Sequence, residues 1–251
     1  MIALLGVTAL NLALLLLLFV PLERVFPARP EQPTLRPELA IDLAFFLGQY
    51  LVFAGVVLTV LTFVDTAITP LSVATWSEHL PLWSRVALAV VLGDLLTYWF
   101  HRACHHFAFL WRFHAVHHSA EHLDWLAAHR EHPLDGVLTQ LCINIPGMLL
   151  GLPFAALGAL IAFRGLWAIF IHSNVRLPLG PLRVLLGAPD LHHWHHARVA
   201  TRHNFANLAP YLDLLFGTYH RPRGPETYAL GLTDPWPRRY LAQLLRPFRA
   251  R

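Results

Sequence analysis

The sequence contains no lysine; all 19 of its basic residues are arginine. It has two cysteines, Cys104 and Cys142. That is too few for a disulfide framework, and they do not form a CxxC that could hold zinc or run thiol redox chemistry. No GxGxxG, HExxH or CxxCH occurs, so there is no signature of a bound dinucleotide, a zinc protease or a covalently attached haem. Charge is also scarce: 14% of the residues are charged and 56% are hydrophobic, whereas an ordinary soluble domain has about 25% charged residues. The 251 residues suffice for one domain and are marginal for two.

Long apolar runs stand in place of the missing charge. Residues 2–20 are interrupted only by Thr8 and Asn11, and as a helix they nearly span a bilayer core of ~30 Å. A cleaved signal peptide is the rival reading, but no basic residue precedes the run and no small-x-small site follows it. Further runs cover 43–64, 86–100 and 136–171. The last would be about 54 Å long as one helix, too long for a single crossing. Pro146, Gly147, Gly151 and Pro153 near its middle should break it. This predicts a helical hairpin that enters and leaves on one side.

Arginine placement orients the spans. The link 21–40 carries Arg24, Arg29 and Arg36, the link 70–84 carries none, and eleven arginines follow Ile171. Positive residues favour the cytoplasmic side, which puts the first link and everything from His101 onward there. The expected fold class is all-α: a polytopic integral membrane helical bundle with a cytoplasmic histidine-rich metal-binding cap. Residues 1–85 form N-terminal transmembrane helices and links, 86–222 the catalytic part, and 223–251 an amphipathic tail. The proline-rich first link reads as an irregular surface connection. The tail RRYLAQLLRPFRAR either lies along an anionic membrane surface or is a solvated end. A net charge of +4 suits the membrane surface, and a chain with several spans is not expected to bind nucleic acid.

Histidine is the compositional outlier. Of 17 histidines only His79 precedes His101. His101 and His105 are four apart; His114, His117 and His118, and again His192, His195 and His196, follow HxxHH. Such spacing puts each set on one helical face. Neutral imidazole is a ligand for zinc, copper, iron and nickel. Eight imidazoles gathered without metal would leave buried polar groups unpaired, at about 1–3 kcal/mol each. Eight ligands on three facing segments suggest two metals. A nitrogen-rich set fits redox-active iron that activates O2 beside a lipid pocket. A metal-handling membrane protein and a zinc-dependent membrane hydrolase remain as alternatives, though neither has a positive sequence feature.

The blocks DLLTYWFHRACHH, WRFHAVHHS, HREHP, IHSNVRLPLGPL, APDLHHWHHA and NFANLAPYLDLLFGTYHRP, between Asp94 and Pro222, resemble the fatty acid hydroxylase/sterol desaturase superfamily. The resemblance implies a multi-pass membrane enzyme, here of a bacterial inner membrane. It implies two iron ions, O2 as co-substrate, and hydroxylation or desaturation of a lipid such as a sterol or fatty acyl chain. It implies ligand roles for the eight histidines above and for His172. His132, in HREHP, would be a ligand or a hydrogen-bond partner of one. His203 in TRHNFA departs from the family pattern. Since the chain has no motif for a redox cofactor of its own, electrons are expected from a ferredoxin or a b-type cytochrome with its reductase.

Three further residues are candidate site residues. Asp94 lies inside an apolar run, where an aspartate needs a partner. It shares a helical face with Tyr98, His101 and His105, and is expected to bond either a histidine from another segment or Tyr98 itself. Asn174 is expected to cap a helix or to bond a ligand histidine. Asp124, Glu131, Asp190 and Asp213 are additional carboxylates that could orient imidazoles. His106, His122, His129, His193 and His220 read as structural or surface residues.

Overall fold

The computed structural model describes residues 1–199 and 202–249; the last two residues of the tail, Ala250 and Arg251, lie outside the described residues. The architecture is helical, with no strand among the described residues beyond two isolated bridges. The long helices are α1 (Ile2–Val25), α2 (Leu39–Leu71), α3 (Leu82–His106), α5 (Pro133–Leu149) and α6 (Phe154–His172). Shorter helices carry the histidine cap: α4 (Ala108–His114), α7 (Pro189–His195) and, in the tail, α8 (Tyr240–Leu245). Helices α1, α2, α3 and α6 are long and apolar enough to cross a membrane.

The outward faces of these helices are themselves apolar. Leu17 on α1 is 74% exposed and Phe63 on α2 is 73% exposed. In water such surface would be unfavourable by ~25 cal/mol per Å²; in lipid it is matched. Trp76 and Trp83 stand exposed at the end of the bundle remote from the clustered histidines, where aromatic side chains suit a membrane–water boundary.

The hairpin expected from 136–171 forms from α5 and α6, but Pro146 and Gly147 stay inside α5. One internal proline removes a single ladder hydrogen bond, which the packing of α5 against α2 and α3 tolerates. The reversal falls at 150–153 instead. There Gly151 takes φ +62° and Pro153 caps the start of α6. This tip meets the α2–α3 connection: Val73 N–H donates to Leu149 O at 2.9 Å, and Ser77 Oγ donates to Leu150 O at 2.7 Å. The link after α1 joins the opposite end, beside the histidines. Both the hairpin and the placement of the two links thus follow the order read from the sequence.

The first link is irregular and largely exposed, as expected, but it is anchored at two buried points. Arg36 is buried, and Ala28 N–H donates to Asn174 O. Beneath it Leu15, Phe19, Phe46, Trp125, Leu126 and Ile169 form an apolar core joining α1, α2 and α6 to the cap. The tail is likewise attached: Gln243 is buried and its Oε1 accepts from Ser119 Oγ at 3.4 Å, while Leu241, Leu245 and Phe248 stay exposed.

Candidate metal centre

Helix α3 runs out of the apolar bundle carrying His101 and His105 on one face. After Phe107 the chain turns into α4, which ends at His114, and then into a tight turn, His117–Ser119. Helix α6 delivers His172 from its last turn. Helix α7, started by Pro189, carries His192 and His195, and His196 is its C-terminal cap. Its entry is set by Gly187, at φ +75° and ψ 165°, a conformation that side chains disfavour. A Cβ there would lie 2.1 Å from Asn207 O.

The imidazoles gather into two groups. His101, His105, His114, His118 and His195 form one, and His117, His172, His192 and His196 the other; within each, one ring nitrogen per residue lies within 4.8 Å of all the rest. Ligands on opposite sides of a metal at ~2.1 Å stand about 4.2 Å apart, so each group has the dimensions of one ion's ligand sphere. The groups adjoin: His118 and His196 stack with ring centroids 4.3 Å apart.

The outer ring nitrogens are held by specific acceptors. His101 Nδ1 lies 2.6 Å from Phe205 O, His114 Nδ1 2.8 Å from Asp135 Oδ2, and His195 Nδ1 2.8 Å from His203 O. A proton on each Nδ1 leaves Nε2 as a lone pair. The Nε2 atoms of His101, His114, His118 and His195 are buried and have no hydrogen-bond partner among the described residues.

In the second group the conflict is sharper. His117 Nδ1 faces Arg130 O at 3.1 Å and His172 Nδ1 faces Ala168 O at 2.6 Å, yet their Nε2 atoms face each other at 3.1 Å. His172 Nε2 is also 2.9 Å from His192 Nε2, which is 3.1 Å from His196 Nε2. Two lone pairs at that distance with no proton between them repel; a cation among them turns the repulsion into bonding. Protonation is no substitute, because burial pushes His117 down to about 4 and His195 to about 3. Burial and neighbouring imidazoles hold His118, His192 and His196 well below the usual histidine range. The donor set therefore fits a pair of transition-metal ions.

Other expected residues sit around this core. His132 belongs to neither group: its Nδ1 accepts from Leu134 N–H at the start of α5, and its Nε2 is 3.2 Å from Leu244 O. Asp94 pairs with Arg164 of α6 at 2.5 Å and bonds neither a histidine nor Tyr98 among the described residues. Tyr98 OH bonds Thr218 Oγ1 at 2.8 Å and accepts from Arg102. Asn174 bonds no ligand histidine among the described residues; its Oδ1 accepts from Arg29 N–H at 2.8 Å. Asp213 accepts the N–H groups of Phe205 and Ala206, fixing the loop whose carbonyl receives His101; burial pushes it up to about 6. Asp124 caps the 126–127 turn and pairs with Arg36, Asp190 pairs with Arg183, and Glu131 accepts from Gln49. His193 is buried between Glu226 and Ser173 O, and His203 contributes its backbone carbonyl.

Three residues beyond the sequence reading prove relevant: Asp135, Arg130 and Arg164. Asp135 follows HREHP by two residues, and its i+2 position after a proline-started helix was the available sign. Arg164 was visible as an arginine inside the fourth apolar run, complementary to Asp94 in the third.

A cavity of about 550 Å³ is lined by the Asp94–Arg164 pair, by Gln49, Tyr50 and Gln140, and by His101 and His172. Its size is that of a small-molecule or lipid-chain pocket. Asn11 and Gln49, the polar interruptions of the first two spans, both line it.

The sequence model of the family described as fatty acid hydroxylase matches residues 86–218. The chain is 36% identical over 178 residues to ornithine lipid hydroxylase OlsE of Rhizobium tropici, covering 69% of this chain and 53% of that protein. It is 32% identical over 155 residues to alkylglycerol monooxygenase of Homo sapiens, covering 61% and 33%. It is 28% identical over 141 residues to putative Delta(7)-sterol-C5(6)-desaturase 2 of Arabidopsis thaliana, covering 55% and 48%. The chain thus spans between a third and about half of the length of these relatives. No solved structure matches it. By the match over more than half its length, the chain belongs to the fatty acid hydroxylase family.

Proposed function

We propose that the chain is a membrane di-iron oxygenase that hydroxylates a lipid, with its histidine cap on the cytoplasmic side of a bacterial inner membrane. The observation that carries this is the placement of two adjoining imidazole groups at the end of a cavity set among apolar helices. His101, His105, His114, His118 and His195 would hold one ion, and His117, His172, His192 and His196 the other. When bound, the iron pair supplies O2 activation and the power to break an aliphatic C–H bond. The net reaction is RH + O2 + 2e⁻ + 2H⁺ → ROH + H2O, the electrons coming from a ferredoxin or a b-type cytochrome with its reductase.

The chain's own residues set the geometry. Carbonyls of Phe205, His203, Arg130 and Ala168 and the Asp135 carboxylate fix the tautomers and directions of five imidazoles. The cavity aligns an alkyl chain with its reacting carbon toward His101 and His172. Hydroxylation is favoured over desaturation because the relatives at 36% and 32% identity are named as a hydroxylase and a monooxygenase. Their names also favour a polar-headed lipid over a free hydrocarbon.

The test is lipid mass spectrometry on cells expressing the wild type or His195→Ala. A product 16 mass units heavier, lost in the variant, is expected. A product two units lighter overturns hydroxylation in favour of desaturation, and identical lipid profiles overturn the enzyme reading.

A further inference from the structure

The link between α1 and α2 and the first turn of α2 lie outside the segment that the family's sequence model matches, yet they reach the metal centre through four buried charges. Arg36 contacts Asp42 Oδ2 at 2.5 Å through NH1, and binds both oxygens of Asp124 at 2.6 and 2.7 Å through Nε and NH2. Asp42 in turn accepts from Arg130 Nε at 2.6 Å. The side chains of Arg36 and Asp42 are 0% exposed and that of Arg130 is 2% exposed.

Arg130 brackets the turn that carries His117 and His118. Its NH1 donates to Ser119 O at 3.2 Å, at the far end of that turn. Its own carbonyl faces His117 Nδ1 at 3.1 Å. Asp124 secures the approach to Arg130, since its Oδ1 accepts the N–H groups of Leu126 and Ala127 at 3.0 and 2.8 Å.

A network of two arginines and two aspartates taken out of water is a poor way to gain stability. Apolar residues of similar volume commonly do as well or better. What the network supplies here is direction: with Nε on Asp42 and NH1 on Ser119 O, the Arg130 side chain is held in one position, and so is the carbonyl attached to it. We infer that Arg36 and Asp42 are positioning residues of the metal centre, holding Arg130 against the His117–Ser119 turn and thereby aiming the His117 imidazole into the four-histidine group. This rests on the histidines being ligands. It makes the N-terminal part of the chain a component of the site, and it distinguishes the two metal positions, because among the ligands Arg130 O receives only His117, a member of the second group.

The test uses full-length protein purified in detergent and loaded with ferrous iron without air. Bound iron per chain, the Mössbauer spectrum and the thermal midpoint are measured for wild type, Asp42→Asn, Arg36→Lys and Glu38→Gln. Glu38 sits at the edge of the network with its side chain 15% exposed, 3.8 Å from Arg36 and bonded to His122, and serves as the control. Asp42→Asn is expected to bind the second iron 10–100-fold more weakly, so that bound iron falls from near two per chain toward one and a single iron environment survives. Arg36→Lys, which keeps the charge but cannot grip both carboxylates, gives the same selective loss to a smaller degree. It supplies the reading should Asp42→Asn fail to fold. Glu38→Gln retains both irons. Two irons with the wild-type spectrum in both network variants overturn the inference. So does loss of both irons in step with the fraction unfolded, which is what a merely structural role gives. A wild type that binds no iron overturns the ligand assignment and this inference with it; a loaded wild type with equally loaded variants overturns this inference alone.

Discussion

His118 and His196 are neighbours in space that serve different groups: their rings stack at 4.3 Å with planes 22° apart, yet His118 aims into the five-histidine group and His196 into the four-histidine group. Each ring is therefore a wall of the other's site. His196→Ala removes a donor from one group and the packing surface of a donor in the other. Titration of the variant with ferrous iron should show fewer than one tightly bound ion per chain, not the single ion that independent sites would retain. Retention of one full ion at wild-type affinity would show the two positions to be uncoupled.

Asp135 holds His114 Nδ1 at 2.8 Å and is buried. Asp135→Asn keeps the shape and removes the charge, so iron affinity of the five-histidine group should fall 10–100-fold with little change in helix content. Competition with a chelator, alongside circular dichroism, measures both. Unchanged affinity would remove Asp135 from any role in orienting the ligand.

The Asp94–Arg164 pair lies between two spans, with side chains 7% and 10% exposed. Removing one partner leaves an uncompensated charge, at about 3–5 kcal/mol. Arg164→Met should lower the thermal midpoint in detergent sharply, and Asp94→Leu with Arg164→Met should recover most of the loss. A double variant as unstable as the single one would show that the two side chains do not act as a pair.

Acid should destabilise the metal-free protein. His117, His129 and His195 fall to about 4, about 4 and about 3 through burial. In the unfolded chain they bind protons near 6.5. Below that pH the unfolded state holds more protons than the folded one, so stability is full above about 6.5 and declines as pH falls toward 4. Glu131 has the opposite sign: burial and Asp135 push it up to about 8, so its contribution is lost as pH rises. The thermal midpoint of chelator-treated protein should therefore be lower at pH 5 than at pH 7, and Glu131→Gln should raise it at pH 8. A midpoint independent of pH between 5 and 7 contradicts the buried, neutral imidazoles.

Gly187 admits no side chain. A Cβ there would lie 2.1 Å from Asn207 O, and its backbone conformation adds about 1–3 kcal/mol of strain for any other residue. Gly187→Ala should shift the entry of α7, reducing both bound iron and thermal midpoint. Wild-type iron content in this variant would show that α7 is positioned independently of the loop.

The spacing of the histidines carried much of the site because helical geometry is local: residues three or four apart must share a face. That rule picked out eight of the nine clustered histidines, but it could not divide them between the two groups. His117 and His118 adjoin in the chain and part into different groups, as do His195 and His196, since consecutive residues point about 100° apart on an α-helix and about 120° apart in a 3-10 turn such as His117–Ser119. Apolar runs gave the spans and the hairpin, while the position of its turn depended on Gly151 outweighing Pro146. What the sequence concealed was mostly backbone. The carbonyls of Phe205, His203 and Arg130 hold clustered imidazoles, that of Phe205 from 104 residues along the chain, and a carbonyl has no residue type to betray it. The first link hid its anchors for a related reason: prolines and mixed charge describe its exposed stretches but do not reveal that one of its charges, Arg36, is buried against Asp42 and Asp124.

The hairpin has a bearing on how the protein is made. Four of the nine clustered histidines, His172 among them, are synthesised only after α5 and nearly all of α6, and each group draws at least one member from that later portion. Neither nest of nitrogens is whole while the ribosome is still making the bilayer-bound arms. Any metal that needs a whole group would accordingly be bound only after nearly all of α6 has been made.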